Sequence, residues 1–149
     1  MSTYTETISG KLNELLERTY DAEKGFKKAA ENTEHIYLKR YFERKSLERH
    51  NFGIELNNEV RSFGEIPEKS GSAAGTAHRA WMDIKAMFSV DNDESMLEEA
   101  IRGEKTALDD YNDVINDTSL PLSTHTILIK QRDAIASDLN SIKRLEDLH

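Results

Sequence analysis

Apolar residues recur every three or four positions through four long stretches of the chain, which is the spacing of helices that bury one face in a bundle. These stretches predict long helices over residues 3–32, 34–63, 93–117 and 121–148. No segment alternates apolar and polar residues over a useful length, as a half-buried strand would. The pattern therefore predicts an all-α protein.

Between the second and third long helices the composition changes. Residues 64–75 are rich in Gly, Ser, Pro and Glu, which indicates a loop, and a shorter helix is predicted over 72–89. A crossover of this length allows the third long helix to run parallel to the second. The sequence thus predicts one domain over residues 1–149, a ferritin-like four-helix bundle with an extra crossover helix.

Each long helix carries polar residues on its apolar face. Glu104 lies in line with Leu97, Ile101, Leu108, Tyr111 and Ile115, and Glu23 occupies a similar place in the first helix. A carboxylate in such a position is expected to be buried, and a buried carboxylate needs a neutralising partner or a raised pKa. The partner is therefore an arginine, a proton or a metal.

One hypothesis is a buried polar network. Its predicted members, one or two from each long helix, are Glu23, Arg49, Glu104, Gln131 and Asp138. The planar guanidinium of Arg49 suits this role because it can bridge carboxylates on two helices. Such a network adds little net stability relative to an apolar core, but it can fix the register and pairing of the helices.

The alternative hypothesis is a carboxylate-bridged di-metal site, which takes single Glu ligands from two helices and a Glu-x-x-His pair from each of the other two. The candidate ligands are Glu23, Glu104, Asp138 and Glu48, and the candidate cofactors are iron, manganese or another divalent metal. The paired motifs are missing, since Glu146 and His149 alone have the spacing and they end the chain. An oxygen-only site would suit a hard cation such as magnesium better than iron.

Composition narrows the remaining classes. The chain has no cysteine, which excludes disulfides and thiolate sites, and its formal net charge is −8, which argues against a nucleic-acid partner. No segment approaches the ~20 apolar residues of a membrane span, and the N-terminus lacks a signal-peptide pattern. We therefore expect a cytoplasmic protein without a membrane partner.

The predicted crossover helix carries the most conspicuous surface candidates. Trp81 stands in its apolar line, where it is expected to hold the helix against the bundle. His78 and Arg79 lie beside it and form, with Trp81, a candidate interaction patch. No nucleophile constellation, phosphate-binding loop or nucleotide fingerprint accompanies them, so enzymatic activity is not expected outside the metal hypothesis.

A set of spaced residues also resembles a known family. These residues are Glu55, Leu56, Val60, Arg61, Gly71, Ser72, Gly75, His78, Arg79, Trp81, Gly103, Glu104 and Tyr111. Over nearly its whole length the chain is similar to a bacterial family of small four-helix-bundle proteins catalogued as a ferritin-like domain of unknown function. The resemblance implies the fold and a bacterial source; it implies no activity, substrate or cofactor.

Two functions remain open at this point. The first is a non-enzymatic structural or interaction protein, with a stress-related role as one option, that forms homo-oligomers through a helix face. The second is a metal-binding redox or storage protein. The two functions differ in what neutralises the buried carboxylates of the core, which is a basic side chain in the first and a metal ion in the second.

Overall fold

The computed structural model describes residues 2–67, 92–117 and 119–149. These residues form four long helices, α1 (Ser2–Glu31), α2 (Ile36–Ser62), α3 (Asp93–Asp117) and α4 (Leu122–Ser141), followed by a 3-10 turn (Leu145–Asp147). No strand occurs in these three ranges. The predicted all-α class is confirmed, and the predicted crossover helix over 72–89 lies outside the described residues.

Short-range hydrogen bonds set the limits of α2. At its start the Nδ1 atom of His35 accepts a hydrogen bond from the backbone N–H of Leu38, which satisfies one of the free amides of the first turn. Beyond its end Gly64 has a φ angle of +80°, the left-handed conformation that glycine adopts without steric cost. Because residues 32–35 are all that separates α1 from α2, the two helices pack side by side and antiparallel.

Polar contacts fix the direction of α3 relative to α1. Arg18, near the middle of α1, forms an ion pair at 2.8 Å with Asp110, which lies in the second half of α3. The hydroxyl of Thr33, just after α1, donates to Asp93 at the start of α3 at 2.7 Å. Residue numbers rise along α1 while those of their α3 partners fall, so these helices are antiparallel.

Two polar contacts also fix the direction of α4 relative to α2. Lys45 lies 2.8 Å from Asp138, and near the other end Glu59 accepts a hydrogen bond from Thr124 at 3.3 Å. These helices are therefore antiparallel as well. Because α1 is antiparallel to both α2 and α3, α2 and α3 run in the same direction.

The apolar core is divided into two clusters. The first lies toward the start of α1 and contains Ile8, Leu12, Leu15, Leu16, Phe52, Leu56, Val60, Tyr111, Val114, Leu128 and Ile135. The second lies toward the α1–α2 turn and contains Phe26, Ala29, Ala30, Leu38, Tyr41, Phe42, Met96, Leu97, Ala100 and Leu148. Along α2 and α3 the buried residues between the two clusters are charged, namely Lys45, Arg49 and Glu104, so a polar layer crosses the bundle.

The fourth helix ends earlier than its predicted limit at residue 148. It stops at Ser141, and Ile142 is extended. The carboxylate of Asp147 then accepts hydrogen bonds from the backbone N–H groups of Lys143 and Arg144, at 2.9 and 3.3 Å. These local bonds replace those of a continuing helix. They turn the chain so that Leu148 joins the second apolar cluster.

Candidate functional site: a buried ionic network

One turn of α2 supplies three charged side chains to the layer between the apolar clusters. Lys45, Glu48 and Arg49 follow Phe42 and precede Phe52 on the helix face that points into the bundle. Lys45 is 0% exposed and Arg49 is 2% exposed, so neither side chain reaches water. Charged groups this deeply buried require partners of opposite charge.

The ammonium group of Lys45 is surrounded by carboxylates from three helices. Its Nζ atom lies 2.6 Å from Glu48 Oε1 on α2, 2.8 Å from Asp138 Oδ2 on α4 and 2.8 Å from Glu104 Oε2 on α3. The angles to Glu104 Oε2 fall outside those of a hydrogen bond, but the short distance makes the contact an ion pair. Lys45 therefore links α2, α3 and α4.

Arg49 provides the second cation of the network. It donates to Glu48 Oε1 at 2.8 Å and to Glu104 Oε1, so Glu48 and Glu104 each contact both basic side chains. Its guanidinium carbon also lies 5.7 Å from the ring centres of Phe26 and Phe52. Stacking on aromatic rings suits the flat, weakly hydrated guanidinium group and holds it in the layer.

Arg44 completes the network at its solvent edge. Its two terminal nitrogens donate to the two oxygens of Asp138, at 3.2 and 3.3 Å, while about half of its side chain remains exposed. Three carboxylates thus meet three basic side chains, and the formal charge of the network is zero. This balance removes the electrostatic need for a further cation.

The pKa shifts agree with an ionised, internally neutralised cluster. Burial by itself would lower the pKa of Arg49, but Glu104 and Glu48 hold that pKa above its ordinary value. Burial would raise the pKa of Asp138, yet Lys45 and Arg44 keep it below its usual range. Burial, with Glu104 and Asp138 nearby, raises the pKa of Tyr41, so its phenol stays protonated.

Several of the residues singled out in the sequence meet in this layer. Arg49 contacts Glu104 directly, and Asp138 joins them through Lys45. Glu48, which is also a candidate metal ligand, contacts both basic side chains. These groups come from three helices, so a shift of any of the three along its axis would separate opposite charges. The layer can therefore fix the register of these helices relative to one another.

Two predicted members lie outside the ionic network. Glu23 is partly exposed and pairs with His50 at 3.1 Å, on the α1–α2 surface. Gln131 is buried but belongs to a separate set of hydrogen bonds: it accepts from the hydroxyl of Tyr111 at 2.5 Å and donates to Glu55 at 3.0 Å. The five residues of the predicted network therefore fall into three groups.

Lys45 is the member that the sequence interpretation missed. A lysine on a charged helix is usually assigned to the surface, because lysine is almost never fully buried unless it is paired. The signal was nevertheless present, since Lys45 lies three residues after Phe42 and four before Arg49, on one helix face.

A second pair of buried carboxylates lies on α1. Glu17 and Asp21, one turn apart, are 6% and 5% exposed. Glu17 Oε1 and Asp21 Oδ2 have no hydrogen-bond partner in the described part of the chain. Burial first, and then the neighbouring Glu17, raises the pKa of Asp21 to about 6, although Lys24 opposes the shift. Unlike the carboxylates of the network, neither Glu17 nor Asp21 forms an ion pair with a basic side chain in the described ranges.

Within the described ranges, no group of three or more His, Asp or Glu side chains has an arrangement that could hold a metal ion. The candidate patch of His78, Arg79 and Trp81 lies outside those ranges. No helix in the same ranges has the length and apolar character needed to cross a membrane.

Comparison with known proteins identifies the family. A family model described as a domain of unknown function, DUF2383, matches residues 7–117. The chain belongs to the DUF2383 family. The matched part of this DUF2383 protein includes Lys45, Glu48, Arg49 and Glu104, whereas Asp138 lies beyond it. No curated protein and no solved structure matches the chain.

Proposed function

We propose that this DUF2383 protein is a non-enzymatic structural or interaction protein with a ferritin-like four-helix bundle, acting in the bacterial cytoplasm. The observation that carries the proposal is the position of Lys45 Nζ, within 2.8 Å of carboxylates on α2, α3 and α4. In di-metal bundles of ferritin-like topology, metal ions neutralise the carboxylates that project into the core. Here an ammonium and a guanidinium group take that role.

The direction of the helices supports the ferritin-like part of the proposal. Parallel α2 and α3, each antiparallel to its neighbours, require a long connection between them, as in ferritin-like bundles. The polar layer then lies where the metal centre of such a bundle would lie. A core filled by its own charged side chains leaves the outer helix faces as the surfaces through which the protein acts.

The absence of nucleic-acid and membrane partners is part of the same proposal. Acidic residues outnumber basic ones by 28 to 20, and negative charge repels phosphate-rich surfaces. Partners are therefore expected to be proteins, including further copies of this chain. A stress-related setting remains one option within this role.

A metal analysis tests the proposal. Untagged protein purified without chelator is expected to contain no stoichiometric iron, manganese or zinc, and its melting temperature is expected to be unchanged by EDTA. The same measurements on Glu104→Gln and on the control Glu14→Gln, which changes an exposed carboxylate of α1, identify the source of any bound metal. Near-stoichiometric metal that is lost in Glu104→Gln but kept in Glu14→Gln would overturn the proposal.

One observation favours the competing metal-binding function. Glu48, Glu104 and Asp138 each place one oxygen atom within 2.8 Å of Lys45 Nζ, although with Lys45 present the three do not form an arrangement that could hold a metal ion. Oxygen donors of this kind suit hard divalent cations. In this alternative a storage or redox role would require the cation to displace Lys45, and the metal analysis above would then show metal that depends on Glu104.

A further inference from the structure

The outer face of α2 carries a seam of exposed residues with the spacing of a coiled coil. Its members, separated alternately by four and three positions, are Ile36, Arg40, Glu43, Leu47, His50 and Ile54. Ile36, Leu47 and Ile54 are 56%, 61% and 50% exposed, so each presents apolar surface to solvent. Alternating spacings of four and three define the a and d positions through which two helices pack.

The two charged residues at the centre of this seam, Arg40 and Glu43, form no ion pair within the described ranges, whereas His50 pairs with Glu23 of α1. Arg40 lies over the ring of Tyr37 at 6.0 Å, and Glu43 forms no polar contact within the described ranges. Other charged residues along this part of α2 are engaged, since Lys39 donates to the carbonyl of Ala30 and Arg44 contacts Asp138. Arg40 and Glu43 therefore remain free to pair with another molecule.

The seam is complementary to itself when it is reversed. If two α2 helices lie antiparallel, with a two-fold axis passing between positions 41 and 42, Ile36 of one faces Leu47 of the other, and Arg40 faces Glu43. In an antiparallel coiled coil the a positions of one helix face the d positions of the other, and this arrangement satisfies that rule in all four layers. Two apolar layers then flank two layers in which an arginine of one helix faces a glutamate of the other.

We propose that two copies of this chain associate through this seam, in an antiparallel arrangement with Ile36 facing Leu47 of the partner subunit and Arg40 facing Glu43 of the partner subunit. Such a contact is isologous, the usual form of a homodimer interface. An alternative register with Ile36 facing Ile54 brings a third apolar residue of the seam into the contact, but it places Glu43 against an apolar leucine and leaves its charge unpaired. Burying an unpaired carboxylate is unfavourable, which favours the first register.

The inference names a partner for the interaction role and in that respect rests on the proposed function. Their tests are separate, because the metal analysis reports on Glu104 in the core whereas association reports on the surface of α2. Four layers of a coiled coil span only about 17 Å of helix, at ~1.5 Å per residue. The contact is therefore expected to be weak and to require measurement over a wide concentration range.

A charge-exchange series measured by sedimentation equilibrium tests the register. Arg40→Glu places two carboxylates opposite each other, and Glu43→Arg places two guanidinium groups opposite each other. Because a dimer contains both charged layers, each single variant is expected to weaken association by about tenfold. The double variant Arg40→Glu/Glu43→Arg restores opposite charges and is expected to associate as the wild type does.

Cysteine cross-linking provides the second measurement. Since the chain has no cysteine, single variants Arg40→Cys and Glu43→Cys introduce one thiol each. An equimolar mixture is expected to form a disulfide dimer of the two variants faster than either variant forms a dimer alone. Parallel helices would instead favour dimers of each variant with itself.

Leu47→Glu tests an apolar layer of the seam. Leu122→Glu is its matched control, because both leucines are exposed but Leu122 is on α4. Leu47→Glu is expected to reduce dimer formation, and Leu122→Glu is expected to leave it unchanged. Circular dichroism checks that every variant retains its helices. A wild-type protein that stays monomeric throughout the concentration range, or a double variant no better than its parents, would overturn the proposal.

Discussion

Lys45 and Glu104 form an ion pair that is almost completely enclosed by the bundle. Their side chains are 0% and 3% exposed, and Nζ lies 2.8 Å from Oε2, so the pair joins α2 to α3 through the core of the bundle. Removing either charge from water is unfavourable, and the mutual attraction offsets this only while both partners are present. Variants that delete one charge are therefore expected to differ sharply from variants at the exposed edge of the network.

Arg49→Ala should strongly destabilise the protein. The substitution leaves Glu104 and Glu48 with Lys45 as their remaining cation and removes a guanidinium group that packs between two phenylalanine rings. Deleting one partner of a buried ion pair typically costs about 3–5 kcal/mol. Urea unfolding followed by circular dichroism measures the loss directly.

Arg44→Ala is the matched control for Arg49→Ala. It removes the same residue type from the same helix and network, but about half of the Arg44 side chain is exposed. The expected loss is below about 1 kcal/mol, as for surface ion pairs. Equal losses for the two variants would contradict the assignment of Arg49 to a buried, mutually dependent cluster.

Lys45→Ala should create a cation-responsive core. The substitution leaves oxygens of Glu48, Glu104 and Asp138 around the position that Nζ occupied. Because hard divalent cations bind carboxylate oxygens, millimolar Mg²⁺ should raise the melting temperature of this destabilised variant and leave that of the wild type unchanged.

The double variant Lys45→Ala/Glu104→Gln controls for general salt effects. It lacks one of the three carboxylates, so Mg²⁺ should stabilise it much less than it stabilises Lys45→Ala. A wild-type protein that responds to Mg²⁺ as strongly as Lys45→Ala would favour the metal-binding function instead.

Periodicity predicted the helices well because each has one apolar face, but the composition of the polar layer depends on how those faces meet. Arg49 and Glu104 both lie near the centre of their apolar stripes, which is why sequence alone could place them together. Glu23 lies at the edge of its stripe, and the packing of α1 on α2 directs it to His50 at the surface. The rotation of a helix about its own axis decides whether such an edge residue faces the core or the surface. Tertiary packing sets this rotation, and periodicity does not encode it.

The end of α4 is a second feature that the apolar pattern did not predict. Ile142 and Leu145 continue the helical spacing, yet the helix ends at Ser141. One cause is non-local, because Leu148 packs into an apolar cluster formed by α1, α2 and α3. The other is local, because the carboxylate of Asp147 accepts hydrogen bonds from the backbone N–H groups of Lys143 and Arg144. Neither contact is visible in the apolar pattern that predicted the helix.

Asp21→Asn should stabilise the protein at high pH. Burial and Glu17 raise the pKa of Asp21 from 3.8 to about 6, so the folded protein binds a proton at a higher pH than the unfolded chain does. The stability that this proton provides is complete below about pH 4 and is lost as the pH rises through about 6. At about pH 8 the neutral asparagine should add on the order of 1 kcal/mol, after allowance for solvent screening.

The pH dependence separates this effect from a simple change of side-chain packing. At about pH 4 the buried aspartate of the wild type is itself protonated, so the advantage of Asp21→Asn should shrink. Glu14→Gln, at an exposed position on the same helix, is the control for loss of a carboxylate charge. A stabilisation by Asp21→Asn that is the same at both pH values would contradict the raised pKa.

Glu59→Ala tests how the start of α4 is held. Pro121 precedes this helix and provides no side-chain cap, whereas Glu59 of α2 is 8% exposed and accepts hydrogen bonds from the hydroxyls of Ser123 and Thr124, at 3.2 and 3.3 Å. Its negative charge also faces the positive end of the α4 dipole. Losing both contributions should cost about 1–3 kcal/mol in urea unfolding.

Glu59→Gln distinguishes the two contributions, because glutamine keeps an acceptor oxygen for the hydroxyls but carries no charge. If hydrogen bonding dominates, this variant should recover most of the stability lost in Glu59→Ala. If the helix dipole dominates, it should recover little, and the loss should diminish as salt is added, since added ions screen the interaction between a charge and a helix end. A salt-independent loss of the same size in both variants would contradict both explanations.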